Sequence, residues 1–405
     1  MERKCDFFYV LSIKWKEFAK NFIYLQAKSK IMYPIPSLPL QQEVETKAVL
    51  KQVAQAHRRL AELKGAVLSI PNTAILINTL SLQEAKDSSA VESIITTHDE
   101  LYKAELSFTG SMSPAAKEVR SYSEALLHGF ERVKKHSLLT CNDMIDIYQR
   151  IKRNNAGFRV TPGTTLKNDL TGEIVYEPPQ SYDEIVGFMN NLERFINDGD
   201  MCDWDPLVKM CVIHHQFESI HPFSDGNGRT GRVVNILYLV LQDLLDLPVL
   251  YLSRFIIKNK GEYYRLLQAV RDNQAEWENW ILFMLKGIEE TSIETIALIK
   301  AIKELMMSYK QKIRGELTKI YSQDLLNNLF KHPYTKIDFI CQDLQVTRPT
   351  AVSYLNQLVD AGILSKMKMG RDNFYLNVRL FDLLMNAFHS EDSKQDNHIE
   401  KVITN

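Results

Sequence analysis

Residues 221–232 read His221-Pro222-Phe223-Ser224-Asp225-Gly226-Asn227-Gly228-Arg229-Thr230-Gly231-Arg232. The run brings a titratable base, a carboxylate, an amide, two arginines and the glycines at 226, 228 and 231 into one turn-forming stretch. Apolar residues from Val233 to Leu245 follow at once and predict a buried helix. Glycines let backbone N–H groups turn toward one point, and a helix N-terminus adds the positive end of its dipole. The stretch therefore reads as a cradle for a polyphosphate, with His221 beside it as a candidate base. An anion site, a base and a carboxylate together point to phosphoryl or nucleotidyl transfer.

Three rival readings of these residues fall short. Gly226, Gly228 and Gly231 satisfy G-x-G-x-x-G, but a dinucleotide fold needs a strand before the glycines and an acidic residue about twenty positions later. Here Lys209 to Phe217 is helix-like, and Leu247 to Phe255 holds no acid. A P-loop would need Gly-Lys-Ser/Thr after the glycines. His214, His215 and His221 lack the H-E-x-x-H spacing of a zinc site and read better as packing and hydrogen-bonding residues.

A chain of 405 residues exceeds one ordinary core, so two or three domains are expected. Apolar content of 45% and charged content of 24% fit a globular protein, and a net charge of −1 argues against a chain-wide nucleic-acid field. Cys5, Cys141, Cys202, Cys211 and Cys341 are scattered and form no C-x-x-C pair, which favours reduced thiols and a cytoplasmic setting. Phe7 to Ile13 is short for a signal peptide and runs into Lys14 and Lys16. Ile236 to Leu252 carries Gln242, Asp243, Asp246 and Pro248, so it reads as a core helix and no membrane span is expected.

Residues 1–31, aromatic and basic, read as an N-terminal extension, with Pro-rich sequence following Met32. Residues 32–110 form an N-terminal helical region, with a helix expected over Gln41–Leu63 and another over parts of Ser81–Ala104, where Ser88-Ser89 could cap or bend it. Residues 111–290 form the core, helical except for a hairpin or irregular lobe in Gly157–Pro179. Linking helices occupy 291–329. Residues 330–389 predict a winged helix-turn-helix: a helix over Thr335–Leu344, a second over Arg348–Asp360, then two strands within Ile363–Val378. Residues 390–405 read as a disordered tail.

At every specified position the dodecapeptide resembles the core motif of the Fic (filamentation induced by cAMP) family, H-P-F-x-D/E-G-N-G-R-x-x-R. The approach His215-Gln216-Phe217-Glu218-Ser219-Ile220 is similar to the family's lead-in. Glu84-Ala85-Lys86-Asp87-Ser88-Ser89-Ala90-Val91-Glu92 resembles the inhibitory-helix segment of members that carry it before the core. Gly172 to Pro179 resembles the flap hairpin, and Lys260 to Tyr264 matches the tyrosine pair after the motif. The resemblance covers roughly Tyr33 to Ile288. It implies a mostly α fold, a Fic-type helical core with a small β-hairpin flap, joined to the winged-helix domain of a subset of relatives.

The resemblance implies a protein adenylyltransferase. His221 would activate a Ser, Thr or Tyr hydroxyl of a target protein, this chain itself among the candidates, to attack the α-phosphorus of ATP. Asp225, the only carboxylate in the loop, is the natural ligand for Mg²⁺. Gly226, Asn227, Gly228, Thr230 and Gly231 would line the ATP site. Arg229 and Arg232, three apart at a helix start, share a face and can both reach phosphate oxygens. Phe223 reads as a packing anchor. Tyr263 and Tyr264 fall where the family contacts adenosine; read alone they are a half-buried aromatic patch. Arg271 stands where relatives carry a small amide, and Asn273 could serve instead. Ile174, Val175, Tyr176 and Glu177 would offer an edge to a target strand, or form an ordinary surface hairpin.

In the resembled class a glutamate pairs with the second motif arginine, so Glu92, with Ser88, would take Arg232 out of service. Ser93 replaces the family's Gly or Asn after that glutamate. Without the match Glu92 would read as a solvated helix residue. Rival readings are a hydrolase that removes AMP at the same site, and a DNA-binding regulator with a nucleotide-sensing core. Residues 331–384 hold seven basic and five acidic residues, a weak footprint for DNA, and Arg348 is the basic residue near the start of the second helix. A packing or target-recruiting role stands beside DNA binding for this module. Relatives often pair, and a homodimer is compatible with the apolar N-terminal helices.

Overall fold

The computed structural model describes residues 35–97, 100–101, 113–167, 171–331, 333–369 and 372–386. The expected extension over 1–31, the tail over 390–405 and the tip of the wing at 370–371 lie outside them.

Capping side chains set where the first helices begin. The Thr46 hydroxyl accepts from the Val49 amide (3.3 Å) at the start of α1 (Lys47–Leu68). Asn72 Oδ1 accepts from Ala74 N (3.0 Å) ahead of α2 (Thr73–Val91). Ser113 caps α3 (Pro114–His136), and Thr140 with Asp143 closes a capping box on α4 (Cys141–Lys152). The antiparallel pair β1 (Leu166–Lys167) and β2 (Ile174–Tyr176) follows, Leu166 facing Tyr176. Then come α5 (Tyr182–Asn197), α6 (Pro206–Ile220) behind the Asp205 cap, and α7 (Asn227–Leu241). Next are α8 (Leu252–Lys258), α9 (Lys260–Asp272) and α10 (Trp277–Glu316), whose 40 residues span about 60 Å at the helical rise.

The core forms around α6 and α7. Every residue of α6 from Leu207 to Ile220 is buried, and α7 is buried from Arg229 to Val240. Helices α3, α4 and α5 pack around this pair, and α10 runs against α1, α6 and α8. Trp280 of α10 is fully buried and donates its Nε1–H to Cys211 O (2.9 Å). The glycine loop connects the two central helices, so a rigid core fixes both of its ends.

The C-terminal module comprises α11 (Gln323–Lys331), β3 (Tyr334–Lys336), α12 (Ile337–Leu344), α13 (Arg348–Asp360), β4 (Ser365–Met369), β5 (Asp372–Leu376) and α14 (Val378–Asn386). Its antiparallel sheet runs β3-β5-β4, and Leu376 lies opposite both Tyr334 and Ser365. Helices α12 and α13 with the β4–β5 hairpin form a winged helix-turn-helix. At the start of α13, Arg348 bonds Asp338 (2.7 Å).

Three expectations are corrected. Residues 334–336 are strand, and the helix begins at Ile337, because Tyr334 and Thr335 are buried in the sheet against β5. The first helix runs from Lys47 to Leu68, set by the Thr46 cap. Ser88-Ser89 does not cap the helix; both lie buried inside α2, which runs on to Val91.

Candidate functional site

His221 ends α6 in the left-handed region, with φ 50° and ψ 59°, its amide donating to Phe217 O (2.9 Å). A non-glycine residue there is strained, so the surroundings must hold it. Phe223 is fully buried and stacks on Tyr148, with centroids 4.0 Å apart and planes at 7°. Asn227 closes the loop: its Oδ1 accepts from Phe223 N and its Nδ2 donates to Phe223 O, both at 2.8 Å. Its side chain is thus committed to the loop itself. Gly226 adopts φ 75° and launches α7, and Thr230 Oγ1 donates back to Gly226 O (2.9 Å).

Asp225 meets a cation outside the motif. Lys152 Nζ, at the end of α4, lies 2.5 Å from Asp225 Oδ2 and 3.4 Å from Glu118 Oε1. Arg229, almost wholly buried, pairs with Glu118 (3.5 Å) and lies 4.0 Å from Asp225. Burial works to raise the Asp225 pKa, but Lys152 and Arg229 hold it below its ordinary value. The carboxylate is therefore ionised and already gathers positive charge. The lysine ammonium stands in for a cation, and the site fits Mg²⁺ on that ground.

Arg232 is turned toward α2. Its Nε donates to Ser88 Oγ (2.8 Å), and its Nη2 donates to Ser88 O (2.8 Å) and Glu92 Oε1 (3.0 Å). Burial disfavours its charge, yet Glu92 and neighbouring groups raise its pKa above the ordinary value. A Cβ placed on Gly228 would collide with Glu92 Oε1. The carboxylate therefore sits against the glycine loop at the N-terminus of α7, where an anion is favoured. In this arrangement Arg229 and Arg232 serve different carboxylates, on α3 and at the end of α2.

A second layer of buried titratable groups surrounds Arg232. Glu84 accepts from Tyr122 Oη (3.1 Å) and from the Ser253 hydroxyl and amide, and burial pushes its pKa up to about 8. Burial likewise raises Glu218 to about 7. Tyr263 is buried, with its hydroxyl 2.8 Å from His214 Nε2, whereas Tyr264 is exposed. The pair thus faces two environments. His215 Nε2 lies 3.1 Å from Leu267 O, and burial lowers His214 to about 3 and His215 well below its usual range. No cluster of three or more His, Cys, Asp or Glu suited to a metal occurs among the described residues.

The flap meets the histidine turn through two arginines. Arg159 Nε donates to His221 O (2.9 Å), and its Nη2 donates to Pro179 O. Arg271 lies over the Tyr176 ring, 4.1 Å from its centroid, and donates to Ser219 Oγ (3.0 Å) and Glu218 O (3.1 Å). Tyr176 is buried at the end of β2, while Ile174 is exposed. Burial, Arg271 and Arg159 push His221 down to about 4, so the ring is neutral at ordinary pH. Lys152, Glu118 and Arg159 had no signal in the motif spacing.

A helical protein with a glycine-turn anion loop between two central helices, a neutral histidine at its head and a small hairpin beside it is thereby defined. Residues 50–131 match the Fic/DOC family N-terminal model and residues 138–239 the Fic/DOC family model, so the chain carries these two domains. Residues 305–380 match the C-terminal domain of protein adenylyltransferase SoFic-like.

Among curated proteins, the chain is similar to protein adenylyltransferase fic-1 of Caenorhabditis elegans, 22% identical over 43% of this chain and 32% of the relative. It is also similar to protein adenylyltransferase Fic of Aedes aegypti, 26% identical over 39% and 30%. A third relative is a probable protein adenylyltransferase of Aquifex aeolicus, 28% identical over 39% and 43%. The chain spans about a third of the length of the first of these. A Fic family protein from Desulfovibrio desulfuricans G20 shares the fold, with TM-score 0.54, 20% identity, and coverage of 82% of this chain and 97% of that one. No helix among the described residues is long and apolar enough to cross a membrane.

Proposed function

We propose that this chain transfers AMP from Mg-ATP to a Ser, Thr or Tyr hydroxyl of a protein, itself among the candidates, and that α2 restrains the reaction. The observation that carries the reading is the Glu92 carboxylate set against Gly228 and paired with Arg232. It occupies a place suited to a phosphate and engages the cation that would serve one.

The chemistry follows from the residues. The target oxygen bonds to the α-phosphorus, the bond from that phosphorus to the bridging oxygen breaks, and pyrophosphate leaves. The hydroxyl proton passes to the neutral His221 ring. Amides of the 226–231 turn and the guanidinium groups of Arg229 and Arg232 bind phosphate oxygens. Asp225 would hold Mg²⁺, which when bound draws charge from those oxygens. Tyr264, exposed at the start of α9, is available to the nucleoside, and Ile174 to Glu177 offer a strand edge to the target. The described cysteines are free thiols, which suits a cytoplasmic enzyme.

Incubation of the full chain with Mg²⁺ and ATP carrying α-³²P tests this. Glu92→Gly should raise label incorporation by about tenfold or more, as expected when a charge-assisted pair is removed, and His221→Ala should abolish it. Equal labelling of wild type and the Glu92 variant would remove the restraint. No label on any protein, with AMP released from a pre-modified one, would reverse the direction of the reaction.

A further inference from the structure

Arg159 and Arg271 differ from the other cations of the site. Arg229 and Arg232 each face a carboxylate, whereas no ion pair to Arg159 or Arg271 occurs among the described residues. Arg159 is only 6% exposed. Enclosing a charge with no carboxylate within ion-pair distance is unfavourable, even with Glu218 and Asp272 acting on Arg271 from farther away.

Their bonds converge on one short stretch. Arg271 holds Glu218 O and Ser219 Oγ; Arg159 holds His221 O through its side chain and Pro222 O through its own amide (2.8 Å). The same guanidinium groups reach the flap, Arg271 over Tyr176 and Arg159 at Pro179. Tyr176 Oη completes the link by donating to Ser219 O (3.0 Å).

We infer that Arg159 and Arg271 are positioning residues for the proposed transfer, two unpaired cations that lock the strained turn at His221 and fasten the flap strand to it. The inference rests on the reading of His221 as the base. Ring and flap then move as one piece, and a strand docked on the flap is presented to the base at a fixed distance. The charge has its own effect on the ring. The groups acting on His221 are Arg271 on α9, Arg159 before the flap, Glu92 at the end of α2 and the Glu218 main chain on α6. Glu92 and the Glu218 carbonyl favour the protonated ring, while burial and the two arginines oppose it.

The test needs no substrate. The full chain is labelled with ¹³C in its histidine rings, and each ring is titrated by NMR, with His221→Gln assigning the signal. In wild type the ring should stay neutral to well below pH 6. Arg271→Met should raise its midpoint by about one unit or more, as loss of a nearby cation predicts. Arg271→Lys should leave the midpoint low, yet speed amide hydrogen exchange in the peptide spanning Ile174–Tyr176, because the planar stack and second bond are gone. An unmoved midpoint in folded Arg271→Met, or an equal rise in Arg271→Lys, overturns the inference. Should Arg271→Met fail to fold, Arg159→Gln and Arg159→Lys give the same comparison. Loss of AMP transfer in the wild type with these ring shifts intact would sink the functional reading alone.

Discussion

A base that is to take a proton from a hydroxyl must be neutral before the reaction starts, and His221, the base of the proposed transfer, is held neutral by its surroundings. Its pKa near 4 leaves the ring uncharged across the physiological range. In the Glu92→Gly background, labelling at pH 6.0 should stay within about twofold of that at pH 7.5, where an unperturbed imidazole with pKa near ~6.5 would have lost most of its base form. A steep fall centred near pH 6.5 would contradict the assignment. Stability follows the same ring. The folded value lies below the unfolded one, so the unfolded chain gains the proton first. The contribution of the neutral ring is full above about pH 6.5 and is lost as pH falls toward 4. Much of this centre was legible in the dodecapeptide, because glycine geometry and residue chemistry are local. Arg159 and Lys152 were not, because their partners lie 62 and 73 positions away, and no periodicity spans such a gap.

Helix α2 shows what element-level reading captures and what it misses. It is buried on nearly every side, including Glu84, Asp87, Ser88 and Ser89, so it carries no apolar stripe for periodicity to find. What the sequence did offer was the match of Ser88 and Glu92 to a known segment. Strand β3 escaped for a related reason. Three residues are too few to display alternation, and the helical pattern of α12 runs up against them. The end of α2 supports a prediction of its own. Ser93 N donates to Ala90 O (2.9 Å) and Ile94 N to Ser89 O (3.0 Å), a Schellman ending with Ser93 at φ 63°. A serine in the left-handed region is strained by about 1 kcal/mol relative to glycine. Ser93→Gly should therefore firm the helix end that carries Glu92, raise thermal stability slightly and lower basal labelling severalfold. Labelling that rises instead would separate the cap from the restraint.

Helix α10 and one buried amide help to join the helical core to the C-terminal module. The first part of α10 packs on the helical core, while its later residue Tyr309 reaches the C-terminal module. There Asn377, fully buried, accepts from Tyr309 Oη (2.9 Å) and Leu380 N (3.1 Å) and donates to Leu329 O (2.9 Å). One side chain thus ties α10, α11 and α14 together, and α11 in turn packs against α2. Removing it leaves Tyr309 Oη only its longer bond to Ile363 O (3.4 Å) and takes the amide donor from Leu329 O, a loss of about 1–3 kcal/mol. Asn377→Ala should lower the melting temperature by roughly 2–4 °C in a single transition. Because α11 supports the helix that carries Glu92, the same change should raise wild-type labelling about two- to threefold, a shift of well under 1 kcal/mol in the α2 equilibrium. Calorimetry that resolves a separate early transition, with labelling unchanged, would mean that the winged-helix module folds by itself and does not bear on the restraint. A coupled response would make that module the natural place for a signal to act on Glu92, since loosening α11 weakens the packing that keeps α2 against Arg232.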